Sequence, residues 1–279
     1  MSELDCGGRP LDLSRPRVMG ILNVTPDSFS DGGRFCSPAA ALEQAQAMVA
    51  AGADLIDVGG ESTRPGAQPV GLAEELGRVI PIVAALAEAL PVPISVDTYK
   101  PEVMAAAVAA GAGLINDVFA LRIPGALEMA ARLGVPVCLM HMAGEPLTMQ
   151  AAPAYTDVVA QVHAFLAERI ERCVRVGIPH ARLLIDPGFG FGKRLEHNLS
   201  LLTHLDSFLD LGVPILVGLS RKSMVGALTG RPPAARLAAS LAAAVLAAQR
   251  GATILRVHDV AETRDALAVW EAVRTCPSS

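Results

Sequence analysis

At 279 residues, 52% hydrophobic and 18% charged, the chain suffices for one large α/β core and is short for two comfortable domains. A formal charge of -5, no basic run longer than Arg221-Lys222 and few aromatic residues exclude a nucleic-acid surface, which needs clustered cations against phosphate. The apolar excess is mostly alanine, and the longest uncharged apolar stretch, between Arg236 and Arg250, is shorter than the roughly 18 residues a spanning helix needs.

The segment Leu4–Leu13, centred on Gly7-Gly8, reads as a hairpin. After it, short β-branched runs alternate with longer alanine-rich amphipathic stretches, the sequence form of repeated βα units. Strands are predicted at Val18–Asn23, Asp54–Val58, Ile94–Asp97, Leu114–Asp117, Val137–Met140, Leu183–Asp186, Ile215–Val217 and Ile254–Val257. Helices are predicted near Ala39–Ala51, Leu72–Ala89, Pro101–Ala110, Gly125–Leu133, Tyr155–Val176, Asn198–Asp210, Ala235–Arg250 and Glu262–Arg274. Gly52, Gly111, Gly134, Gly177, Gly212 and Gly251 fall where helices should close. Eight alternations predict a closed (β/α)8 TIM barrel, one domain over 1–279, with the hairpin placed to plug its bottom. The segment Met1–Arg17 has no apolar signal-peptide core. Cys6, Cys36, Cys138, Cys173 and Cys276 form no C-x-x-C pair. Together these predict a cytoplasmic protein with reduced thiols.

Polar residues gather just after the strands: Asn23, Asp57, Asp97, Asn116-Asp117, His141, Asp186, Ser220-Arg221-Lys222 and Arg256-x-His258. In a barrel those positions converge on the C-terminal face, where catalytic groups sit. Each also has a plainer reading. Asp97, Asn116 and Asp186 are equally suited to capping the next helix. Asp57 reads as structural, His141 and His258 as core histidines or as site residues, and Ser220–Ser223 as a solvated cationic loop or part of the site. Only three of the basic residues are lysines (Lys100, Lys193 and Lys222), and two lie in Gly- or Ser-bearing loops after strands. Taken jointly, Arg64, Arg221, Lys222, Arg256 and His258 offer cations and donors for phosphate oxygens. Asp97, Asn116 and Asp186 suit a flat heterocycle rich in N–H groups, and Asn23 offers an oxygen to a hard cation such as Mg2+. The residue types therefore point to a phosphorylated nitrogen heterocycle.

Longer motifs carry a family resemblance. The chain reads M-G-I-L-N-V-T-P-D-S-F-S-D-G-G at 19–33, G-A-D-L-I-D-V-G-G-E-S-T-R-P-G-A at 52–67, S-V-D-T at 95–98 and I-N-D-V at 115–118. Further on it reads D-P-G-F-G-F-G-K at 186–193, G-L-S-R-K-S at 218–223 and R-V-H-D-V at 256–260. In this order, from about Val18 to Arg274, the chain resembles the dihydropteroate synthases. One mild departure is Ala143, where members often carry a longer polar side chain.

The resemblance implies a folate-pathway condensation of p-aminobenzoate with 6-hydroxymethyl-7,8-dihydropterin diphosphate. It implies that Asp97, Asn116 and Asp186 hold the pterin, that Met140 and Lys222 line its pocket, and that Asp97, Asp186 and Lys222 are catalytic. Asn23 would bind the Mg2+ that accompanies the diphosphate. Thr63, Arg64, Arg256 and His258 would engage the diphosphate or its loop. Phe29, Pro65, Phe191, Ser220 and Lys222 would frame the p-aminobenzoate site, with sulfonamide inhibition expected. A cytoplasmic homodimer is implied, with no nucleic-acid or membrane partner. Two alternatives are a methyltransfer domain using methyltetrahydrofolate and a non-catalytic pterin-binding relative.

Overall fold

β1 (Glu3–Asp5) and β2 (Pro10–Asp12) pair antiparallel, forming the predicted hairpin. In the computed structural model, residues 3–25, 37–62, 66–144, 149 and 153–276 are described. Eight further strands follow: β3 (Arg17–Asn23), β4 (Leu55–Gly59), β5 (Ile94–Asp97), β6 (Leu114–Asp117), β7 (Val137–Met140), β8 (Leu183–Asp186), β9 (Ile215–Val217) and β10 (Ala252–Val257). They pair in parallel in chain order, and β10 closes the barrel against β3. Most are buried along their whole length, because helices cover one face and the barrel interior fills the other.

The helices among the described residues are α1 (Pro38–Ala50), α2 (Leu72–Ala89), α3 (Pro101–Ala109), α4 (Ala126–Leu133), α5 (Val158–Arg175), α6 (Leu195–Thr203), α7 (Ser223–Thr229), α8 (Leu237–Gln249) and α9 (Val260–Thr275). Local chemistry starts them. Ser37 accepts from Ala40 N ahead of Pro38 in α1, and Asp157 accepts from Ala160 N at 3.0 Å in α5. Two details differ from the sequence prediction. The stretch predicted as one helix over 198–210 divides into α6, which begins earlier, and a 3-10 helix over Leu205–Leu211. His204 is non-helical there, and the Ser207 hydroxyl donates to its carbonyl at 2.7 Å. α7 is an extra helix before α8, too short for apolar periodicity to mark, and it closes on Gly230 in the left-handed conformation. No described helix is long and apolar enough to cross a membrane.

Inside the barrel, Met19, Leu55, Leu114, Cys138, Leu184, Leu216 and Ile254 form an apolar floor. Leu4, Cys6, Leu11 and Leu13 from the hairpin pack beneath it. The approach is close: a Cβ on Gly113 would lie 2.1 Å from the Cys6 carbonyl oxygen, so only glycine admits the hairpin there. Full burial of such leucines contributes roughly 1.5–3 kcal/mol each, and the hairpin thereby seals one end of the barrel.

Candidate active site

Side chains in a strand alternate between faces, so residues two positions beyond the floor also point inward. Those positions hold Ile21, Asp57, Asn116, Met140, Asp186, Gly218 and Arg256. Asp97 joins them, because β5 and β6 pair Asp97 with Asn116, and β7 and β8 pair Met140 with Asp186. A polar layer thus lies directly above an apolar floor. Asp57, Asp97, Asn116 and Asp186 are all buried, and Asp57 is fully so.

Burying carboxylates is costly unless they find partners. Arg256 supplies most of them here: its Nε donates to Asp57 Oδ2 at 2.6 Å and its Nη2 to Asp97 Oδ2 at 2.9 Å. Asn116 Nδ2 also donates to Asp57 Oδ2, at 3.3 Å. Burial pushes Asp97 above the usual carboxylate range; Arg256 pulls it back, and Asp57 pushes it further up. Burial likewise raises Asp186, opposed by Lys222 and by the Gly188 N–H, which donates to Asp186 Oδ1 at 2.7 Å. Burial lowers Arg256, but the Asp57 and Asp97 charges more than offset it, leaving the guanidinium charge secure. Lys222 is lowered to about 8 by burial, with Asp186 working the other way.

The loops after β8, β9 and β10 complete the rim. Lys222 Nζ donates to the Phe189 carbonyl and lies 4.3 Å from the centre of the Phe191 ring. Ser220 Oγ and His258 Nδ1 are 3.0 Å apart, which joins two predicted site residues from neighbouring loops. Arg221, read from the sequence among the cations for phosphate, is instead tied to Asp259: Nε donates to Oδ2 at 3.0 Å and Nη2 to Oδ1. Its backbone is left-handed, with φ of 58°, so this pair holds a strained loop in place. Met140 packs with Val118, Met142 and Met149 into an apolar wall, against which Tyr99, Phe119 and Phe191 lie.

Asn23 sits half-buried at the end of β3, level with Gly59, its register partner. A Cβ on Gly59 would lie 3.6 Å from Asn23 Oδ1 and 3.7 Å from Asp97 Oδ2, so both oxygens border the space that the bare glycine leaves. Among the described residues, no group of three or more His, Cys, Asp or Glu side chains forms a metal cage of its own. Phe29, Thr63, Arg64 and Pro65 lie outside the described residues.

Some sequence readings resolve differently. Asp117 builds a turn at the strand end: it accepts from Phe119 N at 2.8 Å and Leu121 N at 2.7 Å. His141 is a core histidine, its ring edge-on to Phe165 and its Nδ1 2.9 Å from Lys193 Nζ. Asp57, read as structural, holds both Arg256 and Asn116 within the polar layer, in keeping with that reading. The signal was available: a charged side chain in phase with Leu55 inside an otherwise apolar strand.

A family profile described as "Pterin binding enzyme" matches residues 19–258. The chain is 58% identical to the Escherichia coli K12 dihydropteroate synthase over 265 residues, covering 95% of this chain and 94% of that one. It is also similar to solved structures from Xanthomonas albilineans. Dihydropteroate synthase with 4-aminobenzoic acid superposes with a TM-score of 0.94 at 60% identity, covering 99% of each chain. The enzyme in complex with 7,8-dihydropteroate gives 0.90 at 57% identity, covering 99% of this chain and 100% of that one.

Proposed function

The chain belongs to the dihydropteroate synthases, pterin-binding transferases of folate biosynthesis, and on that premise we propose how its own residues carry the reaction. The observation behind the assignment is the polar layer: two buried carboxylates and an amide, Asp97, Asp186 and Asn116, together at the mouth of a well with an apolar floor. They accept from and donate to the edge of the pterin ring, while Met140 packs on its face and Lys222 reaches it from the rim. Arg256 has donors beyond the two that Asp57 and Asp97 occupy, since a guanidinium carries five N–H bonds. With Thr63, Arg64 and His258 it engages the diphosphate.

In the condensation, the amine nitrogen of p-aminobenzoate forms a bond to the methylene carbon of the pterin as the bond from that carbon to the diphosphate oxygen breaks. The diphosphate leaves with the electron pair, and the amine's proton passes to the released diphosphate or to water. Positive charge shared between the carbon and the electron-rich ring is stabilised by Asp97 and Asp186, and the leaving anion by Arg256 and its neighbours. Phe29, Pro65, Phe191, Ser220 and Lys222 frame the p-aminobenzoate site, which a sulfonamide would share.

Mg2+ suits the residues present. Asn23 Oδ1 beside the space at Gly59 gives one neutral oxygen, and Mg2+ characteristically takes few protein ligands together with phosphate oxygens and water. Bound there, the ion supplies positive charge to the departing diphosphate. We assign the 279 residues to one pterin-binding barrel domain acting in the cytoplasm as a homodimer. Exposed Leu246 on α8 and Val269 and Val273 on α9 support a self-association face.

The test is diphosphate release by the purified protein, given the pterin diphosphate and Mg2+, with and without p-aminobenzoate. The expected result is release that needs p-aminobenzoate, yields dihydropteroate, stops on chelation and is competitively inhibited by a sulfonamide. Pterin binding with methyl transfer, or with no turnover, would overturn the assignment. Sedimentation at micromolar protein should give twice the 28.9 kDa chain mass.

A further inference from the structure

Lys193 and His141 stand out in the sequence and take no part in the chemistry above. Lys193 is only 3% exposed, and its Nζ faces four acceptors. They are the carbonyl oxygens of Gly188 at 2.9 Å, Phe191 at 3.1 Å and His141 at 3.3 Å, and the His141 Nδ1 at 2.9 Å. Burial, with Lys193 and Arg122 adding to it, lowers His141 to about 2. The ring is therefore neutral, Nδ1 accepts from Lys193, and the ring proton sits on Nε2.

Burial lowers Lys193 to about 7, with Asp186 working the other way, so near neutral pH the group is a partly protonated amine that still donates through its N–H bonds. The loops after β7 and β8 meet backbone to backbone around it. A Cβ on Gly188 would lie 1.8 Å from the His141 carbonyl oxygen, and one on Gly192 2.6 Å from that of Ala143. Both glycines are left-handed, with φ of +72° and +62°, a conformation that turns successive carbonyls to different sides. Gly188 and Phe191 give their carbonyls to Lys193, whereas Phe189 gives its own to Lys222. Phe191, between them, carries the ring over which Lys222 lies. If filling space were the whole role, methionine would serve without the cost of desolvating a buried amine. Methionine cannot gather three carbonyls.

We propose that Lys193, oriented by His141, is a positioning residue that fixes the 188–191 backbone and thereby sets the Phe191 ring and the Lys222 ammonium at the p-aminobenzoate site. The inference rests on the assignment of Phe191 and Lys222 to that site. Lys193 touches no substrate; it acts through the peptide units it collects.

The experiment compares Lys193→Met, Lys193→Gln and Phe191→Ala in steady-state kinetics with both substrates varied. Lys193→Met should raise KM for p-aminobenzoate about tenfold, the scale of a small misplacement at a site, while KM for the pterin diphosphate moves less than twofold. Lys193→Gln, whose amide retains two N–H donors, should recover part of the loss. Hydrogen exchange should quicken at amides 188–193 in Lys193→Met and stay unchanged in the barrel strands. Wild-type KM for p-aminobenzoate in Lys193→Met, or an equal rise for both substrates, overturns the proposal. Should Lys193→Met fail to fold, Lys193→Gln decides: a wild-type KM there, with unchanged exchange at 188–193, overturns it, and a selective rise supports it. If Phe191→Ala leaves KM for p-aminobenzoate unchanged, the site assignment itself has failed; if Phe191→Ala raises it and the Lys193 variants do not, only this inference has.

Discussion

Removing the Asp57 carboxylate separates what its charge does from what its hydrogen bonds do. In Asp57→Asn an oxygen remains to accept from Arg256 Nε and Asn116 Nδ2, now 2.6 and 3.3 Å from Asp57 Oδ2, but the charge is gone. Arg256 keeps Asp97, and its side chain is one-fifth exposed, so the loss is partial and partly screened. A hydrogen bond to a charged group contributes about 1.5–3 kcal/mol net and a neutral one about 1 kcal/mol, so Asp57→Asn should cost ~1 kcal/mol. Asp57→Ala removes both bonds and leaves the Asn116 amide orphaned in a buried layer, for a cost of ~3 kcal/mol. If Arg256 works only when held, these losses pass to the transition state at about 1.4 kcal/mol per factor of ten. Falls in kcat/KM of up to about fivefold for Asn and about a hundredfold for Ala follow on that scale. Asp57 is one of the charges that raise Asp97, so both variants should also shift the acid limb of the pH profile downward. The assay is steady-state diphosphate release across pH, beside urea melts of the same preparations. A folded Asp57→Ala protein with kcat/KM within about twofold of wild type would refute the reasoning.

Other expectations follow from the same geometry. Asp186→Asn should lower kcat by about a hundredfold or more while the melting temperature moves by only a few degrees, since the Gly188 N–H can still find an acceptor; normal turnover would reduce Asp186 to a turn-former. Lys222 is lowered to about 8, and a lysine is charged below its pKa, so kcat/KM should fall as pH rises through about 8. The buried Asp97 and Asp186, both raised, put the acid limb above the ordinary carboxylate range. A profile flat to about pH 9.5 would remove Lys222 from the ionisations that matter. Gly188→Ala combines a left-handed φ with a 1.8 Å clash and should cost about 3 kcal/mol or more in a urea melt; an unchanged midpoint would mean the two loops do not meet there.

The barrel was legible because each strand is a short apolar run between Gly-closed helices. Ile94–Asp97, Leu114–Asp117, Val137–Met140, Leu183–Asp186 and Ile215–Val217 were predicted to the residue. Periodicity could not reveal α7, which has fewer than two full apolar repeats, or the change of helix type at His204. The site was legible as a set of loop ends. Which way each polar residue faces depends on phase relative to the floor, so the sequence could read Asp57 as structural without showing that Arg256 and Asn116 are what it holds. The pairing of Arg221 was hidden for a different cause: its partner Asp259 is 38 residues away, and no local pattern reports a tertiary ion pair. The tie between Lys193 and His141 spans 52 residues and was equally invisible.

The apolar floor, with the hairpin packed beneath it, makes the well a cul-de-sac. With Leu4, Cys6, Leu11 and Leu13 behind the floor, traffic passes only through the rim that the loops surround. On the proposed assignment, the pterin resting on the polar layer must be admitted before p-aminobenzoate covers it. The product then has to back out whole, its benzoate end leading, and the next pterin waits for the doorway to clear. On that assignment, a floor backed by a hairpin more than 80 residues away in sequence from the nearest of Asp97, Asn116 and Asp186 would set a queue for the two substrates.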